Sequence, residues 1–433
     1  MENCRRDTFE SLEKYLYALR NAGSKFSLER IEKLCEKLGN PQAKYPSIHV
    51  AGTNGKGSTC AMLESILRGG GLKTGMYTSP HLLYLGERIQ INRAPISKDA
   101  LAARIAEVRE ACNELFDEAD IANYPSFFEI MTAAAFLHFA EERVDAAVVE
   151  VGLGGRLDST NIIKPTCSVI TTIGLDHTEY LGSTIAAIAA EKAGTIKQNT
   201  PVVAGFLPPE AMDVVRRKAA QKCAPLFCAA DYYGSGSSMP QTSLEGNYQR
   251  RNAAVAELCA KTLAKTNAAF SALTDAEISR ALSEVQWAAR WQKIPLKNSA
   301  TLILDASHNP EGATALEENL KNLVKTSGKP VITVGVLGEQ RAKALLPVIA
   351  KYARKIVFFV PDEPRALGFE TLEKLTPAGV ETMRARVGDI YHDGLCEAAR
   401  AGETVVSTGS IYLAGEILSA LGGEKSDGLS DLI

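Results

Sequence analysis

Nowhere do these 433 residues hold an apolar run long enough to span a bilayer. The opening stretch, MENCRRDTFESLEKYLYALR, is charged and amphipathic and lacks the apolar segment of a secretion signal. These two absences argue against a membrane or exported protein and point to the cytoplasm. Excess charge is missing as well. Lys and Arg number 48 against 51 Asp and Glu, a formal net charge of −3. Nucleic acid and acidic lipid are therefore not expected partners, and any anionic ligand has to be held by local donors. The nine cysteines include no CxxC pair. The closest two, Cys223 and Cys228 in CAPLFC, have no His/Cys cluster around them, so free thiols in a reducing compartment are expected rather than zinc or a disulfide framework. No internal repeat is evident, and the only biased tract is the Gly/Ser-rich YGSGSSMPQTS at residues 233–243.

With 45% hydrophobic and 23% charged residues, the chain has the composition of a globular protein. Its length calls for roughly two or three domains. Strand-like and helix-like runs alternate almost throughout, which predicts α/β layers around mostly parallel strands. SIHVAG precedes a helix from about Ser58 to Leu67, and TGMYTS reads as the next strand. Residues 98–115 have helical period, SFFEIMTAAAFLHFAEE is a nearly all-apolar buried helix, and AAVVEVGLGG and CSVITTIG are β-branched strands. A second series, TLILDASHNP, PVITVGVLG, KIVFFVP and TVVSTGS, begins near Ala300. Between the two, in ARWQKIPLKNSA, periodicity lapses and Pro295 interrupts. The expected division is therefore an α/β domain at 1–293 and a smaller Rossmann-like α/β domain at 294–433.

The most informative stretch is IHVAGTNGKGSTCAML, residues 48–63. Gly52, Gly55 and Gly57 let backbone amides turn inward, and a helix beginning near Ser58 offers free N–H groups to an anion. Lys56 can neutralise outer phosphates and Ser58 can face a metal. The spacing is one residue off the common G-x-x-x-x-G-K-[ST] form, so the strand-loop-helix context carries the reading. A nucleotide triphosphate brings a divalent cation, which takes a few oxygen ligands and keeps waters. Glu150, closing the apolar strand AAVVE, is a candidate ligand, unless it pairs with Arg156. His177 follows another strand end beside Asp176. Four of six histidines, His49, His81, His177 and His308, fall near glycine or proline turns at predicted strand ends. Lys192, before Gly194, reads first as an ordinary cationic cap of its helix.

In order along the chain, HVAGTNGKGSTC, YTSPHL, ERIQIN, FFEIMTAAAF, VEVGLGGRLDSTN, GLDHTEYLGSTIAAIAAEKAGTIK, NYQRRNAAVA and LDASHNP resemble the folylpolyglutamate synthase/dihydrofolate synthase family of the Mur ligase superfamily. The resemblance runs from about Phe9 to Glu416. It implies a P-loop central domain, a C-terminal glutamate ligase domain and an ATP-dependent amide ligase. A pterin-linked carboxylate, of dihydropteroate or at the γ position of a folate, is phosphorylated by ATP and then attacked by the amine of L-glutamate. The resemblance further implies nucleotide contacts from Gly52, Thr53, Asn54, Gly55, Lys56, Gly57, Ser58, Asn252, Arg290 and Asp305. Mg²⁺, usually two ions, is implied on Ser58, Ser79, Glu150 and His177. Lys192 would be carbamylated, and His308 would sit by the phosphates in the interdomain cleft. The pterin would meet Ser126, Phe127, Phe128, Glu129, Leu157, Asp158 and Ser159. Small molecules are the implied partners of a monomer.

This sequence departs from the family pattern in two places. The usual D-G-A-H-N-P is DASHNP here, with Ala306 and Ser307. An acidic-lysine-acidic turn gives way to LGEQRAKAL, so Arg341 or Lys343 is expected to substitute there, with Arg365 of EPRAL facing an anionic substrate. A nucleotide-dependent switch would need a guanine-reading [NT]-K-x-D element, which is not found. A ligase for UDP-linked precursors would usually carry a further N-terminal domain ahead of the P-loop.

Overall fold

The structure, a computed structural model, describes residues 8–20, 27–234 and 239–422. Residues 235–238 of the Gly/Ser-rich tract lie outside that description. Two sheets organise the chain. The first has eight strands: β1 (Ser47–Ala51), β2 (Thr74–Tyr77), β3 (Ile89–Ile91), β4 (Ala94–Pro95), β5 (Ala146–Glu150), β6 (Cys167–Ile170), β7 (Val202–Ala204) and β8 (Leu226–Cys228). Their order is β4-β3-β2-β5-β1-β6-β7-β8, parallel from β2 through β8, with β3 and β4 antiparallel at one edge.

The apolar runs SIHVA and AAVVE become the two fully buried central strands. Parallel strands covered on both faces read this way because each side chain meets a helix layer. On one face, Ile48, Val50 and Val148 pack against helices Lys56–Gly69 and Asn247–Thr266. On the other, Ala147 and Val149 meet helices Lys98–Leu115 and Phe127–Glu141. The second of these is apolar all round because the helix Glu29–Lys37 covers its far side.

The second sheet has order β13-β12-β11-β16-β10-β9, with β9 (Gln292–Pro295), β10 (Thr301–Leu304), β11 (Val331–Val334), β12 (Lys355–Phe358), β13 (Glu381–Arg384) and β16 (Thr404–Thr408). All its pairs are parallel except β9 with β10. A separate hairpin joins β14 (Tyr391–His392) to β15 (Leu395–Cys396). The join at ARWQKIPLKNSA was expected to be irregular, yet it contains β9. Pro295, lacking an N–H, is tolerated because β9 is an edge strand. The division expected at 293/294 therefore cuts a strand, and the connection between domains runs instead from Val285 to Trp291. The eight cysteines among the described residues carry free thiols.

One buried ion pair ties the helix Glu29–Lys37 to the helix Phe127–Glu141. Arg30 donates Nε and Nη2 to the two carboxylate oxygens of Glu129, at 3.1 and 3.0 Å. Arg30→Ala would leave that carboxylate buried without its counter-charge. It is expected to lower unfolding stability by roughly 3–5 kcal/mol in urea denaturation. A loss under about 1 kcal/mol would mean that the pair behaves like an exposed one.

Candidate functional site

Loops from the carboxyl ends of β1, β2, β5 and β6 converge on one edge of the first sheet, the position where open α/β sheets bind ligands. The loop after β1 is tied to the loop after β6. Thr53 N–H donates to Thr172 O, and Asn54 N–H to Thr172 Oγ1. Thr171 Oγ1 donates to Asn54 O at 2.6 Å, and Thr53 Oγ1 and Gly174 bond in both directions. This closeness dictates glycine. A Cβ on Gly52 would sit 1.9 Å from Thr171 Oγ1, and one on Gly55, at φ +82°, would sit 2.4 Å from Asn252 Oδ1. The helix starts at Lys56, two residues earlier than its expected start at Ser58. Lys56 Nζ folds back on Thr53 O at 3.3 Å, and Ser58 Oγ accepts from the buried Gln249, which also receives Asn252.

Two opposite charges are buried close by. Glu150 has one hydrogen bond, from Ser79 N–H at 3.2 Å. Burial pushes its carboxyl up to about 7, against the pull of Lys56 and that amide. Arg156 does not pair with it but with Glu191 at 2.9 Å. Lys192 donates to Gly52 O at 2.9 Å, across 140 residues, so it is not a cap of its own helix. Burial, reinforced by the Lys56 ammonium, brings its pKa down to about 7. His177 stands in the left-handed region at φ 49°. Among the described residues no cluster of three or more His, Cys, Asp or Glu could hold a metal. Glu150, His177, Ser58 and Ser79 line the same cavity, and their donor atoms are of a kind that a cation keeping much of its shell as water or phosphate accepts.

On the other side of Glu150, Ser126 caps the helix Phe127–Glu141. Glu129 accepts from Arg30 twice and from Ser126 N–H and Oγ at 2.8 and 2.7 Å. Three of these donors fall on Oε2 and one on Oε1, so Glu129 is held firmly in its own wall. The acceptor role expected of it toward a pterin falls to Oε1, which receives Arg30 Nε. Phe127 is buried, with its ring stacked on Tyr17 and the Arg88 guanidinium 5.2 Å from its centroid. Phe128 is the half-buried ring, set against Gly152.

The second domain closes the site. Asn54 and Asn309 exchange amide hydrogen bonds at 3.3 and 2.9 Å, Asn54 Nδ2 donates to Glu311 at 2.7 Å, and Asn309 Nδ2 donates to Asp176 at 3.0 Å. Arg341 lies 3.5 Å from the same Asp176. Burial opposes ionisation of Asp176, but His177, His308, Asn309 and Arg341 outweigh it and hold the pKa at about 2. His308 Nδ1 donates to Ala306 O at 2.8 Å, a tautomer that leaves Nε2 as an acceptor. Burial and Arg341 keep that imidazole neutral, with its pKa at about 4.

A single cavity of about 840 Å³ runs through these parts. It is lined by Gly52–Ser58, Ser79, Glu150, His177, Lys192, Asn252, Arg290 and His308, and by 126–129 and 157–159. Asp305 is the exception. It is buried off the wall and accepts from Trp291 N–H, Ser307 N–H and Tyr248 Oη, so it fastens the domain junction. Of the two candidates near residue 341, Arg341 reaches the cavity, whereas Lys343 pairs with Glu339 on the helix surface. Arg365 also lines it, held by Glu363. The sequence reading assigned nothing to Arg30, Gln249 or Glu311. Gln249 could have been found, since it lies one helical turn before Asn252, but Arg30 finds its partner 99 residues away.

A P-loop sheet closed by a smaller parallel-sheet domain over a shared cavity is the architecture of a Mur ligase. Residues 50–223 match the Mur ligase middle domain and 289–411 the Mur ligase glutamate ligase domain. The chain is 33% identical over 434 residues to dihydrofolate synthase/folylpolyglutamate synthase of Bacillus subtilis, covering 95% of this chain and 99% of that protein. It is 36% identical over 424 residues to folylpolyglutamate synthase of Lacticaseibacillus casei, covering 92% and 95%. The Mycobacterium tuberculosis folylpolyglutamate synthase, solved with ADP and AMPPCP, superposes with TM-score 0.81 at 30% identity over 97% of this chain and all of that one. The chain belongs to the dihydrofolate synthase/folylpolyglutamate synthase family.

The buried lysine makes a testable claim on stability. Unfolded, Lys192 keeps its proton up to the ordinary 10.5, while folded it gives the proton up near 7. Between those values unfolding takes up a proton, so its contribution to stability rises with pH by up to about 1.4 kcal/mol per unit. Below pH 7 the full cost of burying the ammonium is present. Lys192→Met is expected to stabilise the fold at neutral pH and to flatten that slope. Urea denaturation at neutral and alkaline pH in CO₂-free buffer measures both. Asn54→Ala takes away the partner of Asn309. It is expected to speed hydrogen exchange at Gly312 N–H, now bonded to Asn309 Oδ1 at 2.8 Å, by roughly fivefold or more.

Proposed function

We propose that the protein joins L-glutamate to a pterin-linked carboxylate at the expense of ATP, acting on dihydropteroate, on the γ-carboxyl of a folate, or on both. The observation that carries this is the continuous cavity, which puts the glycine-rich cradle, the 126–129 and 157–159 walls and the second domain's His308, Arg341 and Arg365 around one space. Gly52–Ser58 hold the triphosphate, with Lys56 on its outer charge and Asn252 and Arg290 toward the nucleoside. The acceptor carboxylate attacks the γ-phosphorus, the bond to the β-phosphate oxygen breaks and ADP leaves. The amine of glutamate then attacks the acyl phosphate carbonyl, and inorganic phosphate departs as the amide forms. A free carboxylate is a poor electrophile, and phosphorylation supplies the leaving group it lacks.

His308, neutral with Nε2 unprotonated, accepts an N–H of the incoming amine and orients it; with its pKa held low it is a weak base. Arg341 and Arg365 offer positive charge for the carboxylates of glutamate. Ser79, Glu150 and His177, with Ser58, would hold Mg²⁺, two ions by family resemblance. The bound metal supplies charge that offsets the repulsion between the two reacting anions. We further infer that Lys192 is carbamylated. Near neutrality part of it is an unprotonated amine, the form that adds to CO₂ with loss of one proton, and the product is an anion beside Glu150's cavity. The reading includes a cytoplasmic monomer with small-molecule partners only.

Phosphate release with ATP, Mg²⁺, L-glutamate and either 7,8-dihydropteroate or tetrahydrofolate tests the function and separates the two acceptors. Lys56→Ala is expected to lose roughly a hundredfold or more of that rate while circular dichroism is unchanged. Lys192→Ala is expected to lose activity that bicarbonate does not restore. No ADP formation with either acid would end the proposal.

A further inference from the structure

Two of the four histidines at strand ends, His49 and His81, are left without a task by the chemistry above. His49 sits on β1, opposite Val149 of β5 and Ser168 of β6, and is wholly buried. A buried imidazole in a central parallel strand costs stability unless it is paired, and a β-branched apolar residue would fill that place without the cost. Its pairing is one-sided. Nε2 lies 2.8 Å from Thr160 Oγ1, while Nδ1 has no hydrogen-bond partner. Stability alone gives no reason to keep such a residue there.

The direction of the bond follows from what lies beyond it. The Thr160 hydroxyl also contacts Asp158 Oδ1. An ionised carboxylate only accepts, so the hydroxyl hydrogen points to Asp158 and its oxygen receives the hydrogen on His49 Nε2. Burial, with Lys197 nearby, brings the imidazole pKa down to about 3, so it stays a neutral single donor. Asp158 further accepts Thr160 N–H at 3.0 Å on Oδ1 and Leu153 N–H at 2.9 Å on Oδ2. The Gly152 amide also acts on this carboxylate, and Asp158 stands in the cavity wall with its orientation set by these donors.

We propose that His49 is a positioning residue for the acceptor acid: through the Thr160 hydroxyl it fixes the orientation of the Asp158 carboxylate in the cavity wall that meets the bound pterin. This rests on the reading of Asp158 as a pterin contact. Pterins present ring N–H donors, and a carboxylate held in one orientation favours such a donor at one place. β1 also runs directly into the cradle at Gly52, so ATP binding serves as the internal control: general damage to the strand reaches both substrates, whereas the hydrogen-bonded chain reaches only the acid.

Steady-state kinetics of His49→Leu, His49→Gln and Thr160→Val, with the acid and ATP varied separately, test the proposal. His49→Leu fills the space without a donor and is expected to raise KM for the acid roughly tenfold, with KM for ATP within about twofold. His49→Gln, which returns an N–H near the position of Nε2, is expected to recover most of the loss. Thr160→Val should match His49→Leu, and the double variant should be no worse than Thr160→Val alone. An unchanged KM for the acid in Thr160→Val, or parallel increases for acid and ATP, overturns the proposal. Nitrogen NMR of the imidazole reads the chain without turnover: His49 is expected to be Nε2-protonated, with ring shifts that move in Thr160→Val and Asp158→Asn. Shifts that do not move sink the chain. Shifts that move while Asp158→Asn leaves KM for the acid unchanged uphold the chain and refute Asp158 as a pterin contact.

Discussion

The glycine-rich turn Gly52–Gly57, buried at its start and half-buried beyond, would have many shapes by itself, and the site depends on its having one. What removes the freedom is the set of bonds to Thr171–Gly174 and the Lys192 ammonium on Gly52 O. Each is worth on the order of 1 kcal/mol, but together they order a loop whose conformational entropy would otherwise be lost on binding. The same bonds fix the angle at which the helix Lys56–Gly69 leaves the sheet, and hence where its free N–H groups point.

Around that cradle, burial acts on acids and bases in opposite senses. It pushes Glu150 up and Lys192 down until both titrate near neutrality. Neither is compensated by a direct partner of opposite charge. Such groups are costly in an empty protein and become favourable once a cation or an anionic ligand enters, which is why perturbed groups gather at functional sites. Asp176 is the contrasting case. Cationic and amide partners from both domains hold it fully ionised, so it works as a fixed anchor between lobes.

The walls differ in how far they can adapt. Glu129 is held by Arg30 and Ser126, and Phe127 lies under Arg88, so this part of the cavity is set before any ligand arrives. Asn54, Asn309 and Glu311 meet across two domains through neutral amides and one carboxylate. Contacts of that kind fix one register between the domains at a modest energy for each bond.

The strands and their buried helices were legible because parallel β-structure covered on both faces demands continuous Val, Ile and Ala, and that composition is local. SIHVA, AAVVE, CSVI and TVVST each became a strand for this reason. The cradle was legible because its glycines are dictated by close approach of the backbone. β9 was missed because its pairing with β10, rather than its own periodicity, makes it a strand. Long-range contacts were hidden for the same reason. Nothing near Lys192 says that it reaches Gly52, nothing near Arg30 names Glu129, and the motif around Asp305 does not say that Tyr248 and Trp291 will claim it. Short-range sterics and burial patterns are written residue by residue along the chain. Which charges end up alone, paired or neutralised depends on distances that only the folded chain sets, because the dielectric and the partners around each group come from segments far away in sequence.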